Sequence, residues 1–466
     1  MQQIEEAAIE MEWNGFAIDS DYFRAQAEIA GRDLASCLSN LRNQLTDFGF
    51  SYAEPDGIWA SPKQLVELLH ERLKLPASPY WFKGRVDIDG GERKTDRTAL
   101  EWVASRCVGP HAKARPIVEG VMELRRIGSS LKYLAKLPNY VGPDGFVHPV
   151  CGPAGDEDDR VGAITGRFGM KNPEGQQIPR DKRKDRYHIR RGFVAPRGQL
   201  LVVRDYTALE VVIIANICEW LFGDTQLLDL TAPGQDIHAH NAYNVFGRFL
   251  NQKTLTGRPI KDYPDLKLFK TDPELAWYRD AIKAVWYKLQ YGGTIHGFAT
   301  SLRDQSGEPV GKSRAQEIVE ALYEAVPSVP KWQKFVAAVL RVDGGICALD
   351  GRYVDYSSLI SRGNGRKDDT DWAFQSAVRG AQNLPAQGTG AHIIGCAMVD
   401  AMNCQEMHEL EALLELQVHD ELRWRCPADN APRVMGLAGE IMQGAFPLKN
   451  LRSEGGIGIN WEESKG

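Results

Sequence analysis

Between residues 413 and 425 apolar and polar positions trade places: Leu414, Leu416 and Val418 alternate with Glu415 and Gln417, and Leu422 and Trp424 resume the pattern after His419-Asp420-Glu421. A period of two marks half-buried strands, so the run predicts a hairpin with an acidic tip. Leu200 to Val203 is a different pattern, an unbroken apolar run ending in Arg204 and Asp205. It predicts a buried strand that delivers Asp205 to its C-terminal edge, followed by a helix over VVIIANICEW (211–220). Further along, Arg279, Lys283, Tyr287 and Tyr291 recur at four-residue steps. At about 40° of drift per step they form one slowly winding helical stripe. Asp272-Pro273 supplies its start and Gly292-Gly293 its stop. Residues 121–137 (VMELRRIGSSLKYLAKL) also carry helical periodicity beside basic side chains.

On its own an acidic turn is ordinary, because Asp favours turns through local hydrogen bonds. Its company changes the reading. Asp205 and Asp420 at neighbouring strand ends could jointly hold two Mg²⁺ ions about 3.5–4 Å apart, the arrangement for in-line displacement at phosphorus. The stripe offers two cations and then two aromatic rings, an order that suits a triphosphate followed by a base. A solvated basic face with a packed aromatic end is the plainer account of the same stripe.

Composition narrows the class. A chain of 466 residues exceeds one ordinary core and implies two or three domains. At 43% hydrophobic and 25% charged it has the balance of a globular protein. No apolar run approaches the roughly 20 residues of a membrane span, and the acidic start MQQIEEAAIEMEW is unlike a signal peptide. Eight scattered cysteines without a CxxC pair favour a reducing compartment and argue against structural zinc. The expected location is the cytoplasm, with an organelle as the alternative. Net charge is −6, yet Arg180 to Arg191 (RDKRKDRYHIRR) carries seven basic residues against two acidic ones, a local +5, just before the Asp205 strand. Phosphate contact is the expectation there, with a solvated basic loop as the alternative.

Taken in order, RDYTALE (204–210), RDAIKAVWYKLQYG (279–292) and QVHDE (417–421) resemble motifs A, B and C of the family A, DNA polymerase I-like, DNA polymerases. Thr165-Gly166-Arg167 with NPEGQQIP, Ile189-Arg190 with GFVAP, Asp236-Ile237-His238, Leu349-Asp350-Gly351-Arg352, and Asn383 with Gln387-Gly388-Thr389 match as well. Weaker matches begin near WNGFAID, so the resemblance covers nearly the whole chain. It implies an α+β, right-hand polymerase fold: residues 1–145 as thumb and N-terminal helical region, 146–235 as first palm segment, 236–339 as helical fingers, and 340–466 as second palm segment with an antiparallel sheet. Family members often carry a proofreading domain ahead of the thumb. This chain begins almost at the thumb, so as given it is expected not to proofread; whether that work belongs to a separate protein or to a segment outside this sequence stays open, with a separate exonuclease or a processivity factor as the candidate partners.

The resemblance implies template-directed addition of dNTPs to a primer 3′-hydroxyl on primer-template DNA, with two Mg²⁺ ions, or Mn²⁺ in their place. By the same carry-over, Asp205 and Asp420 bridge the metals, the Tyr206 carbonyl ligates the nucleotide-side ion and Glu421 supports the site from its edge. Lys283 and Arg279 neutralise the triphosphate, with His238 near the same oxygens and Lys283 placed to protonate pyrophosphate. Glu210 is the steric gate against a ribose 2′-hydroxyl, while Thr207-x-x-Glu210 also reads as a capping box at the head of the following helix. Tyr287 lies beside the sugar 3′-position, where its hydroxyl should favour dideoxynucleotides, and Tyr291 stacks at the templating base. Arg167, Asn383, Gln387 and His419 match residues that probe minor-groove acceptors, and Arg352 and Arg379 serve the template strand or the palm's structure.

Several positions depart from the family: Ala208 for a common Gln, Val212 for Arg, Lys288 for Gly, Gly169 and Met170 for small hydroxyl residues, and His392 for Asp. None removes a metal ligand. Competing readings are a two-metal nuclease or a single-subunit polymerase with relaxed sugar selection, and an inactive nucleic-acid-binding remnant.

Overall fold

The structure, a computed structural model, describes residues 2–49, 59–76, 95–153, 165–176, 178, 185–290, 292–293, 295–302, 310–368 and 370–465. The elements that position the site are, in chain order, α1 (Gln2–Asn14), α2 (Ser20–Asp47), α3 (Arg115–Lys136), β1 (Gln199–Tyr206), α4 (Leu209–Phe222), α5 (Ile237–Ala242), α6 (Leu268–Thr271), α7 (Pro273–Gln290), α8 (Trp372–Met402), β2 (Leu413–Val418), β3 (Glu421–Pro427), α9 (Ala431–Gly444) and β4 (Ser453–Gly458). Among the described residues no helix is long and apolar enough to cross a membrane.

The four strands form one antiparallel sheet in the order β4-β1-β3-β2. Both of its faces are buried, which is why β1 reads as an unbroken apolar run. Val202 and Tyr206 point into the large core shared with α4, α7 and α8, whereas Leu201 and Val203 point into a second core with Phe193 and Trp461. A third cluster, from Leu41 and Leu45 of α2 to Val118, Val121 and Leu124 of α3, holds the N-terminal helices together.

The hairpin forms where the alternation places it, but not with one polar face. Pairing slips between Leu414 and Leu416, leaving Glu415 as a bulge. One extra residue reverses side-chain parity. Leu414 therefore joins the large core, and Leu416 and Val418 join the Phe193 core. Glu415 itself is fully buried between Arg423 (3.2 Å) and Arg425 (2.8 Å). Arg425 also donates to the Gly15 and Asn14 carbonyls at 2.8 and 3.0 Å, satisfying acceptors at the C-terminal end of α1.

The capping-box reading of Thr207-x-x-Glu210 is overturned. Helix α4 starts one residue later, with Ala208 at its N-cap at φ +51° and no side-chain cap. The left-handed Ala208 moves the helix start off Thr207, and the Glu210 carboxylate turns to Arg167 instead, at 2.5 Å. Helix α7 runs between the expected start and stop, with the Glu274 amide donating to Asp272 Oδ1 at 2.8 Å.

Candidate active site

Asp205 is the penultimate residue of β1 and lies directly opposite Glu421 in the register with β3. One residue back, Asp420 sits in the hairpin turn, whose carbonyl accepts the Tyr206 amide at 3.0 Å. The turn is fixed from both sides. His419 adopts φ +57°, Gln417 Nε2 donates to its carbonyl at 2.6 Å, and its amide donates to Gln176 Oε1 at 3.1 Å. Gln176 Nε2 closes the loop on the Gln417 carbonyl at 2.9 Å. Gln176 belongs to the NPEGQQIP match, but its role as a clamp on the acidic turn was not read from sequence.

A cavity of about 640 Å³ opens above this strand edge, and its lining includes Arg167, Asp205, Tyr206, Glu210, Lys283, Gln387, His419 and Asp420. These eight residues come from five separate segments of chain. Burial raises the carboxyl pKa of Glu210, opposed by the Arg167 guanidinium that anchors it.

Glu421 does not line this cavity. It is almost wholly buried, and its carboxylate contacts the Trp461 indole N–H and the Lys465 ammonium, with Arg190 at 3.8 Å. Lys465 also reaches Asp205 Oδ2 at 3.2 Å. The C-terminal turn thus braces the acidic edge from behind, a role for Trp461 and Lys465 that no local pattern announces. Arg190 stacks on Trp461 at 3.9 Å, Arg191 pairs with Glu462 at 3.0 Å, and Arg186 pairs with Asp33 at 3.3 Å. The described part of the basic run therefore makes internal contacts; residues 180–184 lie outside the described residues.

On the helical side, Asp236 is a hub. Its carboxylate caps α5 by accepting the His238 and Ala239 amides, each at 3.0 Å, and receives Arg279 Nε at 2.8 Å. Burial works against its ionisation, but these donors hold its carboxyl below the usual range. His238 is buried, and burial together with Arg279, Lys283 and Lys270 lowers its pKa to about 4, so the ring is neutral near pH 7. Lys283 is exposed one turn beyond Arg279 and reaches the cavity; Arg279 and His238 lie outside its lining. The Tyr287 ring and all of Tyr291 lie outside the described residues. Lys288 is tied to the Gly297 carbonyl at 3.2 Å.

Arg379, Asn383 and Gln387 follow at four-residue steps on α8, a spacing that puts them on one face. Gln387 borders the cavity, while Arg379 packs under Gly292, where an added Cβ would come within 2.8 Å of the Arg379 Cγ. Gly292 has φ +66°, the left-handed turn expected of it. Arg352 packs against Gly166 and pairs with Asp350 at 3.1 Å.

The donor set suits Mg²⁺ better than a soft or caged metal. No cluster of three His, Cys, Asp or Glu side chains with metal-ligand geometry occurs among the described residues. Two hard carboxylates beside a cavity large enough for substrate phosphates are what Mg²⁺ commonly uses, since it completes its shell with water and phosphate oxygens.

An antiparallel sheet whose edge presents paired aspartates to a cavity, flanked by helices bearing cations, is the palm of a right-hand polymerase fold. Residues 32–463 match DNA polymerase family A, and the chain belongs to that family. It is 31% identical over 409 residues to a thermostable DNA polymerase I of Thermus thermophilus, covering 87% of this chain and 42% of that protein. DNA polymerase I of Deinococcus radiodurans is 29% identical over 98% of this chain and 41% of its own length. The chain thus spans about two fifths of the curated relatives it matches. Among solved structures, the POL domain of Pol1 from M. smegmatis, in complex with DNA primer-template and dNTP, aligns with a TM-score of 0.79 at 23% identity, over all of this chain and 70% of that one.

Proposed function

We propose that this chain is a template-directed DNA polymerase that adds dNTPs to a primer 3′-hydroxyl. The observation that carries it is the convergence of Asp205 and Asp420 with Lys283, Glu210, Arg167, Gln387 and His419 around one cavity. Residues 1–145 act as thumb, 236–339 as fingers, and 146–235 with 340–466 as palm.

Asp205, Asp420 and the Tyr206 carbonyl would hold two divalent cations, Mg²⁺ or Mn²⁺, which stabilise charge on the attacking and leaving oxygens when bound. Lys283 reaches the triphosphate and supplies a proton to the departing pyrophosphate. Arg279, fixed by Asp236, neutralises the outer phosphates, and neutral His238 offers a hydrogen bond without adding charge. Glu210, held by Arg167, crowds the ribose 2′-position. Arg167, Gln387, Asn383 and His419 contact minor-groove acceptors that all base pairs share, which permits copying without sequence preference. Glu421 supports the acidic edge through its partners rather than by facing the cavity.

Primer extension with Mg²⁺ tests the reading. Elongation with dNTPs, poor elongation with rNTPs, and loss of both in Asp420→Ala are expected. A wild-type chain that binds primer-template but extends it no better than Asp420→Ala would leave only nucleic-acid binding.

A further inference from the structure

Lys270 on α6 belongs to none of the matched motifs. Its Nζ lies 3.3 Å from Asp236 Oδ2, the same oxygen that accepts Arg279 Nε at 2.8 Å. The two cations differ in exposure: 60% for the Lys270 side chain against 20% for Arg279. Arg279 together with the α5 amides already satisfies the Asp236 carboxylate. Lys270 is therefore surplus to it. An exposed ion pair of this kind contributes little and exchanges readily, and lysine's flexible stem lets the ammonium leave for a stronger anion.

Charge accounting points the same way. Lys270, Arg279 and Lys283 all act on His238; Lys270 and Arg279 lie against Asp236, with the largely exposed Asp280 3.8 Å from Arg279, while Lys283 faces the cavity that Asp205, Glu210 and Asp420 line. On the α5 side a single carboxylate oxygen, Asp236 Oδ2, serves both Lys270 and Arg279 beside a neutral imidazole. We propose that Lys270 is a third cation for the outer phosphates of the incoming nucleotide, swinging from Asp236 when the triphosphate arrives. This rests on the polymerase reading above. Asp236 then acts as a positioning residue, keeping Arg279 fixed and Lys270 close without neutralising both.

Single-nucleotide incorporation and inhibition by pyrophosphate test it. Lys270→Ala should raise KM for dNTP about tenfold with a smaller fall in kcat, as expected for one charge-assisted phosphate contact. Inhibition by pyrophosphate should weaken by a similar factor, Lys270→Arg should recover most of both, and Lys267→Ala, on a neighbouring exposed lysine, should match wild type. A Lys270→Ala chain with KM and pyrophosphate inhibition within about twofold of wild type overturns the proposal and leaves the polymerase reading intact. A wild-type chain that extends no primer overturns that reading, and this inference with it.

Discussion

The two ends of the β2–β3 hairpin both carry charge, and they use it in opposite ways. At the base, Glu415 lies buried between Arg423 and Arg425, and Arg423 is also stacked near Trp461 at 5.0 Å. At the tip, Asp420 faces a cavity with Asp205, and Lys465 reaches Asp205 from behind at 3.2 Å. A charge neutralised inside the protein is architecture. A carboxylate pair aimed at open volume is placed to meet a ligand. The residue between the two regimes is Glu421, beside Asp420 in sequence yet held like the base.

The comparison breaks first at the tip. Asp420→Ala should lower primer extension by at least about 10³-fold, equivalent to several kcal/mol of lost charge stabilisation, while the urea midpoint stays near wild type. Glu415→Ala should do the reverse. It leaves Arg423 and Arg425 without their carboxylate in a dry interior, which costs about 3–5 kcal/mol of stability. Single-turnover extension by the folded fraction should persist. A catalytic defect in Glu415→Ala larger than its stability loss explains would erase the division between base and tip.

His238 offers a third contrast, a buried group kept neutral rather than paired. It titrates near 4 in the folded chain against 6.5 for an unperturbed imidazole. Between those values the unfolded chain holds more protons, so stability falls as pH drops through that window, by up to about 3 kcal/mol. Melting curves of His238→Gln should lose that part of the slope between pH 6.5 and 4. Equal slopes in the two proteins would mean the ring is not buried as described.

Local pattern and long-range partnership differ in how far sequence discloses them. The hairpin, the β1 strand and the α7 stripe are visible because their periodicities lie within about a dozen residues. The Glu415 bulge is not visible, since alternation looks the same whether or not parity flips beneath it. Asp236 and Arg279 lie 43 residues apart, and Glu421 meets Trp461 across 40, distances over which no spacing rule operates. The partners of the basic run were hidden for a related reason. Arg186, Arg190 and Arg191 find acids and a ring from distant segments, and a count of charges cannot register that. The motif resemblance led to the cavity residues, but the clamp at Gln176 and the brace at Lys465 required three dimensions.

Glu421 decides where the boundary in the hairpin falls. If it belongs with the base, its work is to receive the Trp461 N–H and balance Lys465 and Arg190, and the metals should be nearly indifferent to its charge. Glu421→Gln keeps an acceptor for Trp461 but leaves two buried or half-buried cations poorly compensated, for a stability loss of about 1–2 kcal/mol. Extension should fall only several-fold, because Lys465 would then lean on Asp205 alone, and the Mg²⁺ midpoint should stay within about twofold of wild type. A tenfold or greater rise in the Mg²⁺ midpoint, measured beside a conservative Asp420→Asn control, would move Glu421 to the tip. The brace formed by the C-terminal turn would then be a consequence of metal binding by the pair rather than its support.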